Sequence, residues 1–589
     1  MCAIAGSIGG SEARSAALER MLDAMRHRGP DDSGRFFDET ARVALGHNRL
    51  AILDPTAAGR QPMTSDVNGD VLSFNGEIYN HRELRGELEG RGWRFRSRCD
   101  TEVLLHAFGE WGLGALDRVD GMFALALWRP REQALYLARD PQGIKPVYWR
   151  VQNETACFAS EIGGLVAGAE SAPCLDRRAL GQFLEFGYTF EDERTCLEDV
   201  RKLPPGHYLR LTAQAPDARP TRYWRPDLTP RPEAEADLAV EELYETLRLV
   251  VRQHLVADTA LGMLLSGGID SSLLAALAAR ETRLRTLTMG FAQSSLDERP
   301  LARRVAQALN CEHEELTISP GDVERAVSES AKHFDDLFAD WGLVSTRLAY
   351  AKARERGLKV VIVGEGADEL FGGYDIFRRT DPALPRGLWL WRLYRAYSGR
   401  RHGSQFAVFK QALERGLMEA GGDRFAAIRL FETRHQLPNN YVQKVDKASM
   451  SVSVEARTPY LDRRVAALAY RMPRSMLLSQ ETDKLALRRV AERFRLLPLD
   501  VVRRPKRGGA IGAAWMDEAP GFRAFARERL LDGRWTRELG LAPAMRAYFV
   551  EGRAGYPFPH AISIFRNLAW RLLILEMWAE TRGLTPHAA

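Results

Sequence analysis

A cysteine stands at position 2 of the 589-residue chain. Removal of Met1 would leave that residue with a thiol and a free α-amine. An α-amine has a pKa of roughly 7.7–8.0, so near neutral pH it can act as a general base beside its own thiol. One residue then supplies nucleophile and base. The bland reading of a single cysteine is a small packing residue. A second segment with chemical potential is Ser266-Gly267-Gly268-Ile269-Asp270-Ser271-Ser272. It follows an apolar run and opens a helix-like one. Loop N–H groups and a helix N-terminus both direct positive charge at a phosphate. No G-x-x-x-x-G-K-[ST] occurs, so it is not a Walker A loop. Its bland reading is a tight turn with a helix cap.

Both segments need elements to hold them. Up to about residue 210 the chain reads as β-rich with some helix, the helical spacing covering 13–26. Strand-like runs lie at Val43–Leu45, Leu50–Leu53, Val71–Phe74, Phe123–Trp128, Ala134–Ala138 and Cys157–Ala159, punctuated by Gly, Asn, Asp and Pro. Residues 212–236, rich in Pro, Ala and charge without a period, read as a linker. Beyond it strands and helices alternate: helix 237–256, strand Ala260–Leu265, strand Thr286–Phe291, helix 300–309, strand 314–318, helices 323–333 and 344–356, strand Lys359–Val363. That alternation predicts a parallel sheet covered by helices. The remainder, about 380–589, reads as mostly helical. Domains of roughly 100–200 residues make two to four of them from this length.

Composition excludes several classes. With 45% hydrophobic and 27% charged residues, a disordered or collagen-like chain is ruled out. A net charge of +5, from 83 basic and 78 acidic residues, gives no argument for nucleic acid or membrane binding. Six cysteines, none in a C-x-x-C, support neither a disulfide framework nor a structural zinc. There is no secretory signal pattern and no apolar run of about 20 residues. The chain reads as soluble, cytoplasmic and without a transmembrane segment.

Further motifs surround Cys2: His27-Arg28-Gly29-Pro30-Asp31, Gly46-His47-Asn48-Arg49-Leu50, Phe74-Asn75-Gly76-Glu77-Ile78-Tyr79-Asn80, Asp100-Thr101-Glu102, Gly121-Met122-Phe123-Ala124 and Ala138-Arg139-Asp140 with Gly143-Ile144-Lys145-Pro146. Alone, Asn75-Gly76 is a good hairpin turn. Together they resemble the class II glutamine amidotransferase domain over residues 2–211, with its four-layer αββα, Ntn-hydrolase-like fold. The resemblance implies a glutaminase with Cys2 as nucleophile. The Asn75 side chain and the Gly76 N–H would form the oxyanion hole. The implied glutamine pocket is Arg49, Leu50, Ala51, Ile52, Leu53, Asn75, Gly76, Glu77 and Asp100. Arg49 would clamp the α-carboxylate, and Asp100 with Glu77 would meet the α-ammonium.

The SGGIDSS string resembles the pyrophosphate loop of the ATP pyrophosphatase superfamily, which cleaves ATP between the α and β phosphates. Gly364-Glu365-Gly366-Ala367-Asp368-Glu369, Lys444-Val445-Asp446-Lys447-Ala448-Ser449-Met450, Val454-Glu455-Ala456-Arg457-Thr458-Pro459 and Arg504-Pro505-Lys506 extend the match. The whole chain thereby resembles the glutamine-hydrolysing asparagine synthetase family, with an ATP-dependent synthetase domain over 237–589. ATP is the implied nucleotide, met by Leu265, Ser266, Gly267, Gly268, Asp270, Ser271, Ser272, Met289, Val363 and Gly364. Mg²⁺ is the implied cofactor, on Asp270 and Asp368. Glu365 matches the position implicated in forming the acyl-adenylate and Lys506 a lysine that neutralises the α-phosphate; a structural ion pair is the alternative for these two. Two positions depart from the familiar pattern, Val363 and Ala367 standing where serines are common.

The resemblance implies an amide ligase that takes ammonia from glutamine to an adenylated carboxylate through an internal ammonia tunnel, with no nucleic acid partner expected and a homodimer as an open alternative. L-aspartate is the leading acceptor. Another carboxylate (a surface-polysaccharide uronic acid, a peptide or a secondary metabolite) is the second reading. A non-catalytic regulatory relative is the third. Residues 386–401, RGLWLWRLYRAYSGRR, read either as an amphipathic helix or as a face for an anionic partner, with Trp391, Tyr394 and Arg395 on one side.

Overall fold

The computed structural model describes residues 2–10, 14–291, 297–331, 333, 335–399, 403–505, 516, 520–551 and 560–584. Twelve strands belong to the N-terminal part: β1 (Ala3–Gly9), β2 (Asp32–Asp38), β3 (Val43–Arg49), β4 (Met63–Thr64), β5 (Val71–Ile78), β6 (Gly121–Arg129), β7 (Ala134–Arg139), β8 (Tyr148–Gln152), β9 (Thr155–Ala159), β10 (Arg201–Lys202), β11 (His207–Leu211) and β12 (Thr221–Arg222). They form two antiparallel six-stranded sheets, ordered β10-β8-β9-β1-β3-β2 and β12-β11-β7-β6-β5-β4. Ile4, Ile8, Leu45, Val71, Ala126, Trp128 and Leu137 pack between the sheets. Helices Arg14–Ala24 and Ile162–Gly168 cover the first sheet, and Asp100–Trp111 covers the second. The result is the αββα sandwich. Both faces of each sheet are covered, so strands such as β1, β3 and β7 are buried along their whole length. Such strands lose the polar alternation that marks a half-exposed strand.

Two expectations need correction here. Leu50–Leu53 is not a strand: β3 stops at Arg49, and the chain turns so that the carbonyls of Leu53, Asp54 and Thr56 accept hydrogen bonds from the Arg49 guanidinium. The 212–236 stretch is not wholly a connector, because β12 pairs with β11 and extends the second sheet.

The C-terminal part contains one parallel sheet of β13 (Leu261–Leu264), β14 (Arg285–Phe291), β15 (Glu312–Ile318), β16 (Val360–Ile362) and β17 (Glu455–Arg457), ordered β15-β14-β13-β16-β17. The chain runs outward from β13 on one side through β14 and β15. It then returns to β13's other side with β16. The C-terminal ends of β13 and β16 therefore flank a topological switch point, where open α/β sheets bind ligands. Helices pack around this sheet, and most of the described chain beyond it is helical, ending in His560–Thr581. No helix among the described residues is long and apolar enough to cross a membrane.

The two parts share packing. Leu18, Met21, Leu22, Ile162 and Leu165, beneath the first sheet, belong to the same apolar cluster as Leu273, Val361 and Trp578 of the C-terminal part.

Candidate functional site

Cys2 is buried immediately before β1. Its backbone N–H donates to Asn75 Oδ1 at 2.9 Å. Asn75 lies in β5, on the opposing sheet, and is fully buried. Its side-chain Nδ2 has no hydrogen-bond partner among the described residues. A buried amide donor left open beside a thiol is a group that could receive an oxyanion. Gly76 follows in the same strand. A Cβ there would meet the Met122 carbonyl oxygen at 2.1 Å, so the close pairing of β5 with β6 demands glycine. Burial pushes the Cys2 thiol up, but the His47 imidazole, the N-terminal ammonium charge and the Leu50 N–H together outweigh it and bring the thiol down to about 7. A thiol near that value is substantially thiolate at neutral pH.

The expected glutamine pocket is partly preoccupied. Arg49 is buried, and its guanidinium donates to Thr56 O at 2.9 Å, Leu53 O at 3.2 Å and Asp54 O at 2.5 Å. Leu50, Ala51, Ile52 and Leu53 line the same loop and are buried. Asp100 accepts from the Ile78 N–H at 2.9 Å. Glu77 is paired at 3.3 Å with Arg457, which reaches it from β17 of the other part. Arg457 also donates to the carbonyls of His254 and Val256, at 2.7 Å each.

The second site lies at the switch point. Ser266–Ser272 leaves the end of β13 and enters helix Ile269–Ala278. Gly267 has φ +76°, and a Cβ there would strike Leu301 Cγ at 2.7 Å. Ser266 and Ser271 hydroxyls bond each other at 2.9 Å and brace the loop. The Ser272 hydroxyl is buried. Leu265 is tied to β14 by its N–H to Leu287 O at 2.9 Å, and Met289 lies two residues farther along that strand. Val363 donates its N–H to Arg457 O at 2.9 Å, and Gly364 passes against Asp270.

Asp270 and Asp368 are brought together. Both reach the ammonium of Lys484, at 2.5 Å and 2.6 Å. Lys484 is 2% exposed, and the two carboxylates raise its proton affinity against the opposing effect of burial. Two converging carboxylates beside the 266–272 loop fit Mg²⁺, which commonly binds one or two carboxylates together with substrate phosphates. Among the described residues no cluster of three or more His, Cys, Asp or Glu side chains forms a metal cage. Glu365 pairs with Lys444 at 3.2 Å. Lys506 lies outside the described residues.

Between the two sites runs a buried charge cluster. Arg28 is fully buried; it donates to Cys2 O at 3.2 Å, Glu161 at 2.8 Å and Asp446 at 2.8 and 3.0 Å. Lys447 pairs with Asp335 at 2.9 Å. Asp446 and Lys447 share helix Val442–Met450 with Lys444. The Cys2 carbonyl and Glu365 thus both connect to one helix.

Sequence reasoning assigned no role to His47, Arg28, Arg457 or Lys484. The first three sat in quoted motifs; Lys484, in Thr482-Asp483-Lys484, had no motif to mark it. The basic aromatic stretch is the helix Arg386–Ser398. Trp391 and Arg395 stack at 4.7 Å, whereas Tyr394 turns inward to Glu185 and Phe409. The three do not form one outward face, and the amphipathic-helix reading accounts for the segment.

The chain matches the glutamine amidotransferase domain family over residues 1–224 and the asparagine synthase family over residues 242–580. It is 32% identical to the glutamine-hydrolyzing asparagine synthetase 1 of Bacillus subtilis (strain 168), covering 83% of each chain. It is 28% identical to asparagine synthetase 3 of the same organism, again covering 83% of each. It is also 34% identical to a Gibberella zeae protein named amidase chry2, over 63% of this chain and 57% of that one.

Proposed function

This chain belongs to the family of glutamine-hydrolysing asparagine synthetases, ATP-dependent ligases with a glutamine amidotransferase domain, and on that premise we propose that it converts L-aspartate, L-glutamine, ATP and water to L-asparagine, L-glutamate, AMP and pyrophosphate. The observation that carries the glutaminase half is the Cys2–Asn75 pair: Asn75 Oδ1 fixes the Cys2 nitrogen while Nδ2 stays open. After loss of Met1 that nitrogen is the α-amine. The Cys2 thiolate attacks the glutamine carboxamide carbon, and Asn75 Nδ2 and the Gly76 N–H receive the oxyanion. The α-amine takes the thiol's proton and, as the tetrahedral intermediate collapses and its C–N bond breaks, returns that proton to the departing nitrogen, which leaves as ammonia. Water hydrolyses the γ-glutamyl thioester and releases glutamate.

In the synthetase half, Ser266, Gly267, Gly268, Ser271 and Ser272 cradle the β and γ phosphates. Leu265, Met289, Val363 and Gly364 flank the nucleoside. The acceptor carboxylate attacks the α-phosphorus, pyrophosphate leaves, and ammonia converts the acyl-adenylate to the amide. Glu365, oriented by Lys444, faces this step, and Lys506 offsets charge on the α-phosphate. Lys484 holds Asp270 and Asp368 in register. Mg²⁺ on those carboxylates would gather phosphate charge. Ammonia protonates readily in bulk water, so an enclosed path between the halves is part of the reading.

Val363 and Ala367 favour a second acceptor. Both are buried and apolar beside the nucleotide loop, where a hydroxyl would have offered a polar contact. Pyrophosphate release measured with a panel of carboxylates, aspartate first, tests the choice. Release with aspartate supports asparagine synthesis. Release with another carboxylate only, while glutamine is still hydrolysed, overturns aspartate and keeps the amidotransferase chemistry. Intact-mass analysis showing Met1 retained on active enzyme would sink the α-amine's role.

A further inference from the structure

A cavity of about 220 Å³ opens on the seam between the two halves, and none of its lining residues belongs to either site described above. The glutaminase half supplies Gln142, His207, Arg222 and Trp224. Gln142 is held in the loop after β7, its N–H fixed by Asp140 Oδ1 at 3.0 Å. His207 lies in β11, and the two-residue strand β12 carries Arg222 to the seam. The opposite wall comes from three helices. Arg415 and Glu419 lie on Phe406–Glu419, Arg434 on Glu432–Tyr441 and Tyr470 on Arg463–Arg471. Residues 432–441 wind as a π-helix, a form that occurs often at functional sites.

The lining is cationic on balance. Arg222, Arg415 and Arg434 stand against Asp192 and Glu419, three guanidiniums to two carboxylates, and burial pulls the imidazoles of His207 and His435 down toward their neutral form. The carboxylates are already taken. Glu419 accepts from both terminal nitrogens of Arg434, and Asp192 lies 3.3 Å from His435. Arg222 stands 3.7 Å from Glu419 and gives its Nε to the Trp224 carbonyl at 3.1 Å. Arg415 has no ion pair among the described residues. Burial and the nearby Arg434 charge lower the proton affinity of Arg222, which an anion beside it would relieve. The remaining wall is flat and apolar, with the Trp224 and Tyr470 rings 6.3 Å apart beside Ala412 and Phe431.

We propose that this cavity binds a small organic anion with a flat apolar body, its charged head toward Arg222 and Arg415 and its body against Trp224 and Tyr470. A guanidinium presents a planar fork to a carboxylate, and aromatic walls favour a ring. Pockets for drug-sized ligands run to about 300–1,000 Å³, so this ligand is smaller than that. The site goes beyond the ligase reading, which assigns neither glutamine, nucleotide nor acceptor to it. Its walls continue into the interior. Residues 432–441 run directly into helix Val442–Met450, and the loop from Asp140 leads to Lys145, which meets Asp446 of that helix at 3.5 Å. An anion lodged between Gln142 and Arg434 would therefore brace the two halves against each other.

The test is a ligand-observed NMR titration of full-length protein with benzoate at low salt. Benzylamine serves as the cation of matching shape, and inorganic phosphate as a head group without a body. Saturating glutamate, aspartate and ATP are present throughout, so that the substrate sites are filled. Benzoate should bind, and benzylamine and phosphate should bind at least tenfold more weakly. Arg415 is exposed on its helix, and Arg415→Ala should weaken benzoate about tenfold or more, as expected for loss of a charged hydrogen bond. Arg415→Lys, which keeps the charge, should weaken it less. Should the Arg415 variants lose their thermal transition, Arg222→Gln tests the same contact from the other half. No binding of benzoate, equal binding of benzylamine or phosphate, or benzoate binding unchanged in the folded variants overturns the proposal.

Discussion

Lys484 stands between two carboxylates, and its replacement by methionine separates an ion pair from a metal site. The substitution keeps most of the side-chain volume and deletes the ammonium that Asp270 and Asp368 share at 2.5 and 2.6 Å. Breaking a buried pair by removing one partner costs about 3–5 kcal/mol. The two carboxylates are 22% and 23% exposed, so solvent relieves part of that and the lower end applies, about 3 kcal/mol. Unfolding entropy of about 2.1 cal/mol/K per residue gives a unit the size of residues 242–580 a shift of about 1–2 °C per kcal/mol. Lys484→Met should therefore lower its thermal midpoint by about 4 °C. Two facing carboxylates without their cation should then recruit Mg²⁺. A ligand at a hundredfold its Kd restores about 2.7 kcal/mol. The assay is a thermal scan with and without millimolar Mg²⁺, beside ATP-dependent pyrophosphate release and ATP-independent glutamine hydrolysis. Mg²⁺ should raise the variant's midpoint more than the wild type's, while glutamine hydrolysis stays intact. Absence of any Mg²⁺-dependent stabilisation in either protein, with ATP present, refutes the assignment of Asp270 and Asp368 to a metal.

Asn75→Ala removes the proposed oxyanion donor and the anchor of the Cys2 nitrogen; glutamine hydrolysis should fall about 10²–10³-fold in kcat, while pyrophosphate release supported by added ammonia persists. Gly267→Ala forces a Cβ onto Leu301 at φ +76°, so ATP binding measured by calorimetry should weaken while glutamine hydrolysis is retained. His254, stacked on Tyr79 at 3.6 Å, is pushed down to about 3, chiefly by burial. The folded state then binds its proton more weakly than the unfolded state, whose histidine titrates near 6.5. Stability from this group is full above pH 6.5 and is lost as pH falls toward 3, by about 2 kcal/mol at pH 5. Urea unfolding at pH 7 and pH 5 should show a smaller pH difference in His254→Gln than in wild type.

Much of this arrangement was legible because short-range chemistry leaves short-range marks. The glycine pair of the 266 loop announces a tight, open backbone, and the periods after 237 announce a parallel sheet. β17 escaped because it is a three-residue strand, Glu455-Ala456-Arg457, with charges at both ends. It is fully buried only because Arg457 finds Glu455 and Glu77. The loop after Arg49 escaped for a related reason: Leu50–Leu53 has strand-like composition, but the guanidinium claims the carbonyls that follow. Lys484 could not be read at all. Its partners lie 214 residues away at Asp270 and farther along the sheet at Asp368. Pairings between distant charges have no local pattern, whereas loops and periods do.

The apolar cluster that runs from beneath the first sheet into the C-terminal part has a consequence for engineering. The Pro-rich stretch around 212–236 looks like a place to cut, but a break there would sever covalent continuity and little else. Leu18, Met21 and Ile162 would remain packed in a common interior with Leu273 and Trp578, and Arg28 would still be clasped by Asp446. A nicked molecule should travel as one particle, and either half produced alone would present raw hydrophobic surface. Exchanging the glutaminase half for that of a relative is accordingly a problem of matching an interior seam, and the choice of connector is secondary.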